Sequence, residues 1–119
     1  MQLNKQEQGL KSFRKGFLGE FRALVYFLVR GYRPLKWRYK TKLGEIDFIF
    51  KRCDLLIFLE VKVRPDLQIG YDSVSHHQKK RITSAANLYL AKTTLKNMQV
   101  RFDMLIVTPQ KIHHLIDCW

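Results

Sequence analysis

With 119 residues and 46% hydrophobic content, the chain is long enough to bury roughly two-thirds of its surface, while its longest apolar run near the start, residues 23–29, is far too short to span a membrane. Lys and Arg number 22 against 10 Asp and Glu, and the net charge of +12 draws polyanions without specifying which. Two cysteines, Cys53 and Cys118, with no C-x-x-C unit, exclude a disulfide scaffold and read as reduced thiols; the polar opening residues lack a secretory signal, so a cytoplasmic, non-membrane protein is expected.

Phe13, Phe17, Phe21, Leu24 and Leu28 recur at helical spacing, and Gly31 followed by Pro34 stops that helix near Arg30. Residues 35–39 predict a short strand. Residues 46–50 and 55–63, rich in β-branched and aromatic side chains, predict a hairpin about the polar tetrad Lys51-Arg52-Cys53-Asp54. A second helix fits residues 75–92, with Ile82, Ala85, Ala86 and Tyr89 on one face and a serine to cap its start. Strands over 100–108 and 112–116 flank a turn carrying Pro109. The order α-β-β-β-α-β-β predicts one α/β domain over residues 1–119, a mixed central sheet flanked by helices.

Asp47, Glu60 and Lys62 interrupt the two apolar hairpin runs, where an unpaired buried charge costs on the order of several kcal/mol. With the turn centred between Cys53 and Asp54, Asp47 falls across from Glu60, and Glu60 and Lys62 share a face because side chains alternate. That face continues through Ile49, Leu56 and Phe58, and the other carries Ile46, Phe48, Phe50, Ile57, Leu59, Val61 and Val63. An odd-length loop would separate Asp47 from Glu60. Glu20, three positions after Phe17 and four before Leu24, lies on the apolar stripe of the first helix. With that helix packed on the face of Asp47 and Glu60, three carboxylates and one ammonium meet, an arrangement that repels itself unless a hard divalent cation sits among them. The competing reading is a solvated strand end with a salt bridge, which accounts for most isolated E-x-K tripeptides.

At these residues the chain resembles a known family. Gly19-Glu20-x-x-Ala23, Gly31-Tyr32, Gly44-Glu45-Ile46-Asp47, Phe58-x-Glu60-Val61-Lys62-x-Arg64, Gly70, Val74, Lys79-x-Arg81-Ile82, Ala85, Tyr89-Leu90 and Arg101-Phe102-Asp103 together resemble the small bacterial YraN family of endonuclease-like proteins. That family is similar to archaeal Holliday-junction resolvases and belongs to the PD-(D/E)xK nuclease superfamily. Arg38 departs from the family pattern, where an Asn is expected, as does the Asp117-Cys118-Trp119 ending.

The resemblance implies a restriction-endonuclease-like core and a Mg²⁺-dependent endonuclease, with Mn²⁺ as an alternative ion, acting on DNA that includes branched or junction forms. It implies Asp47, Glu60 and the Val61 carbonyl as metal ligands, Lys62 to orient the attacking water, and Glu20 to serve a second metal or an outer-shell water. Arg64 is expected to clamp a phosphate. Lys79, Lys80 and Arg81 either grip phosphates or form a solvated face, and Gln78 either steers a water or is a plain helix-start amide. A homodimer would suit a two-fold junction substrate. The alternative function is a nucleic-acid-binding protein that keeps the fold without cleavage. His76-His77 and His113-His114 are adjacent pairs that make no chelating face, and Asp103 reads as an anchor partnered by Arg101 or by backbone. Because several cations would displace condensed counterions, DNA affinity is expected to fall steeply between about 50 and 200 mM salt; a flat titration would remove the electrostatic basis of this reading.

Overall fold

A computed structural model describes residues 4–119, with the side chains of residues 10–13 left aside. The elements run α1 (Lys5–Leu28), β1 (Arg33–Lys40), β2 (Glu45–Arg52), β3 (Leu55–Val63), α2 (Leu67–Asp72), α3 (His76–Lys92), β4 (Gln99–Val107) and β5 (Ile112–Leu115). The five strands form one mixed sheet in sequence order. Neighbours are antiparallel except β3 and β4, which run parallel and therefore need the long α2–α3 crossover between them. Every expected element is present. The short helix α2 is additional, and its start is capped by the Asp66 side chain, which accepts from the Ile69 N–H at 2.8 Å.

The hairpin has the expected register, from Arg52 opposite Leu55 to Phe48 opposite Leu59, and its two-residue turn is closed by Cys53 at φ +53°. On one face of the sheet Ala23 and Phe27 of α1 pack with Phe48, Phe50, Ile57, Leu59 and Leu105. On the other, Ile82, Ala85, Ala86 and Tyr89 of α3 pack with Ile46, Ile49, Leu56 and Phe58. Three expectations change here. Helix α1 lies on the face opposite Leu56 and Phe58 rather than on theirs. Ile46 leaves the face of Phe48 and joins Tyr39 on the α3 side, because the β2–β3 ladder ends at Phe48 and β1 turns over at Arg38, a left-handed residue at φ +50°.

The third change is the rotation of α1. Phe17, Phe21 and Leu28, expected inside, are exposed, while Gly19, Ala23 and Phe27 are buried; Phe13, the first of the expected stripe, lies outside the described side chains. Large apolar residues occur around the helix from Phe17 to Val29, so size does not select the buried face. Closeness does: a β-carbon at Gly19 would collide with the Val63 side chain, so the small residues are the ones pressed to the sheet.

Asp103 anchors the far end as expected, and more fully. Fully buried, it receives Arg101 through both oxygens at 2.9 and 2.8 Å, His114 Nε2 at 2.8 Å and the Asp117 N–H at 3.0 Å. The loop before β2 is held as tightly, since a β-carbon at Gly44 would meet the Arg81 carbonyl of α3. Gly44→Ala is therefore expected to destabilise the fold by about 1–3 kcal/mol. Gly9→Ala, with open space around its site, should be neutral or stabilising by up to about 1 kcal/mol. Denaturant midpoints check both.

A carboxylate cleft at the fork between β2 and β3

Where β2 leaves β3, the Val61 N–H that a continued ladder would satisfy is taken by the Asp47 side chain, Oδ2 accepting at 2.7 Å. Asp47 is thereby drawn toward β3 and stands beside Glu60. Glu60 is 5% exposed and is held by Lys62 Nζ at 3.2 Å and by the Gln78 amide of α3, whose Nε2 donates to Oε1 at 3.1 Å. The hairpin thus brings Asp47, Glu60 and Lys62 together, and α3 adds Gln78.

Glu20 reaches the same cleft from α1 on the opposite face of the sheet, through the gap that the parting strands leave. With Asp47, Glu60, Val61, Lys62 and Arg64 it lines a single cavity of about 450 Å³. Its carboxylate is already engaged: Arg38 Nη2 lies 3.0 Å from Oε2, and Arg38 Nε and Trp37 Nε1 each donate to Oε2 at 3.1 Å. Among the described residues no three His, Cys, Asp or Glu side chains gather closely enough to enclose an ion.

Arg64 lines the cleft, steadied by its Nη1 donating to the Val63 carbonyl at 2.9 Å. Lys79, Lys80 and Arg81 do not line it. Lys79 sits over the rings of Tyr71 and Trp119, Lys80 is exposed, and Arg81 underlies Gly44. Two partners of the site had no role in the sequence reading: Lys15, which lines the cleft, and the Trp37–Arg38 pair that holds Glu20. The spacing of Lys15 from Glu20 gives no single-face signal, and Arg38 is brought round only by its left-handed backbone.

Burial dominates the electrostatics. It pushes Glu60 up to about 8, and the neighbouring Asp47 charge adds to this while Lys62 opposes it. Burial likewise raises Asp47 to about 6, against the Val61 N–H and with a further push from Glu20. Two adjacent carboxyls that resist ionisation, with one nearby ammonium, fit a hard divalent cation, because Mg²⁺ is usually held by one or two carboxylates plus water.

Fold and site define an α/β protein whose mixed sheet opens at one point to seat a carboxylate pair, Glu60 buried and Asp47 half-buried, beside a lysine. Residues 19–107 match the uncharacterised protein family UPF0102, the YraN family, and the chain belongs to it. It is 39% identical over 111 residues to a UPF0102 protein of Agrobacterium fabrum, covering 92% of this chain and 91% of that one. It is 38% identical to a UPF0102 protein of Mesorhizobium japonicum over 83% of this chain and 80% of that one. A third, from Clostridioides difficile, is 38% identical over 88% and 96%. No helix among the described residues is long and apolar enough to cross a membrane.

Both raised carboxyls keep protons when folded at pH values where they would lose them unfolded. Their stabilising effect is complete below about pH 4 and is lost as pH climbs through about 6 and then 8. Asp103 runs the other way: burial alone would raise it, but His114, Arg101 and the Asp117 N–H hold it low, so its contribution is lost only in acid. Without metal, the melting temperature should therefore fall between about pH 5 and pH 8.5. Glu60→Gln should flatten that slope and melt about 4 °C or more above wild type at the alkaline end. A wild type that gains stability over this range would mean that the carboxyls are held by cations instead.

Proposed function

We propose that the protein is a Mg²⁺-dependent endonuclease that hydrolyses phosphodiester bonds in DNA. The observation that carries this reading is the pair of buried Glu60 and half-buried Asp47 beside Lys62 in the cleft of a chain with net charge +12. Such a pair is destabilised as it stands, and a strongly basic protein recruits a polyanion. The restriction-endonuclease-like arrangement implied by the sequence resemblance agrees with this site.

Asp47, Glu60 and the Val61 carbonyl would hold the ion, which when bound polarises a phosphate oxygen and lowers the pKa of water. Lys62 presents its ammonium next to Glu60, where it orients a water and offsets negative charge developing on phosphorus. Gln78 and Lys62 both hold Glu60 Oε1 and so fix the carboxylate in place. Arg64, at the cleft wall, holds a flanking phosphate. Glu20, held by Arg38 and Trp37, acts on water at the periphery rather than as a direct ligand. A role in DNA binding without turnover is the second reading, favoured by that hold on Glu20.

Asp47→Ala is expected to abolish both cleavage and metal binding, and Lys62→Ala to abolish cleavage while leaving metal affinity nearly intact. Both variants should still bind DNA. Nuclease assays on single-stranded, duplex, flap and four-way-junction DNA with Mg²⁺, Mn²⁺ or EDTA, alongside calorimetric metal titration, check this. Wild-type cleavage by Lys62→Ala would assign the charges to structure, and metal and DNA binding with no cleavage of any substrate would select the second reading.

A further inference from the structure

The rotation of α1 leaves an aromatic surface beside the cleft that the reaction does not use. Trp37 is 51% exposed, Phe17 45% and Phe21 56%. Phe17 meets the indole edge-on with ring centroids 6.5 Å apart, and Phe21 follows one helical turn later. The indole is held in place. Its N–H donates to Glu20, and the Arg38 guanidinium lies 4.7 Å from its ring centroid. Exposed Arg14 lies one helical turn before Phe17 on the same side of α1, the Arg38 guanidinium borders the indole, and exposed Lys15 lines the neighbouring cleft.

We infer that this surface is a stacking platform for unpaired bases, so that the strand entering the cleft is single-stranded where it crosses α1 and β1. Rings set among cations on a rigid support match the two requirements of single-strand binding: faces for bases and charges for phosphates. A duplex offers only its backbone here, since its bases are stacked on one another. A second copy of the chain fits the surface less well, because a two-fold contact would bring the Arg14 side chains of both copies together in a molecule already carrying +12. The inference rests on the nuclease reading only for the destination of the strand; binding itself does not require turnover.

The test is fluorescence anisotropy in EDTA, with a labelled thymidine oligonucleotide of about 20 residues, its duplex with adenine, and an abasic oligonucleotide of equal length. Trp37→Ala and Phe17→Ala should each weaken single-strand binding by roughly 5- to 100-fold and change duplex binding by less than about twofold. Trp37→Phe, which keeps a ring but loses the bond to Glu20, should stay close to wild type. The abasic strand should bind wild type as weakly as the thymidine strand binds Trp37→Ala. Equal losses for strand and duplex, or no loss in both alanine variants, would overturn the platform. So would a wild-type dimer, seen by light scattering, that either alanine substitution converts to monomer. If no nucleic acid is cleaved with metal but these binding differences hold, the nuclease reading fails and the platform stands.

Discussion

One hydrogen bond determines what this sheet can do. At the end of the β2–β3 ladder the Val61 N–H is satisfied by the Asp47 carboxylate at 2.7 Å instead of by a β2 carbonyl. A buried donor left unpaired would cost about 1–3 kcal/mol. By supplying the acceptor from a side chain, Asp47 lets the two strands part without that penalty. The parting makes the cleft, and the residue that permits it is also one of the two carboxylates the cleft displays.

The opening explains how groups from both faces of a sheet share one site. Gln78 approaches Glu60 from the α3 side, while Glu20 and Lys15 approach from α1. Each helix is held to its side by a close contact at a glycine, Gly19 against Val63 and Gly44 against the α3 backbone. Charge is distributed unevenly as a result. Glu20 is satisfied by Arg38, whereas Asp47 and Glu60 share the Lys62 ammonium in a desolvated corner, and they are the two carboxyls that burial pushes up.

Residue spacing alone located the hairpin, its register, the α3 face and the convergence of Asp47, Glu60 and Lys62, because strand alternation and a two-residue turn leave little freedom. It misplaced α1. A helix with large apolar residues around much of its circumference carries no size signal, and the buried face was marked instead by what is absent at Gly19 and Ala23. Periodicity likewise assigned Ile46 to the wrong face, since it assumes regular alternation through Arg38, where the backbone is left-handed. Long-range pairs such as Glu20 with Arg38 depend on that irregularity and leave no mark in local pattern.

The parallel β3–β4 pairing has a consequence during synthesis of the chain. β3 can pair with β2 as soon as the hairpin emerges, but its other edge waits until the whole α2–α3 crossover and β4 have followed. In that interval Leu55-Leu56-Ile57-Phe58-Leu59 presents an apolar open edge of the kind that templates intermolecular sheets. Glu60 and Lys62, the next charged residues along, are then fully hydrated and interrupt the run at its C-terminal end, while Lys51 and Arg52 flank it before the turn. The same charges that strain the finished core act, before it closes, as gatekeepers against aggregation.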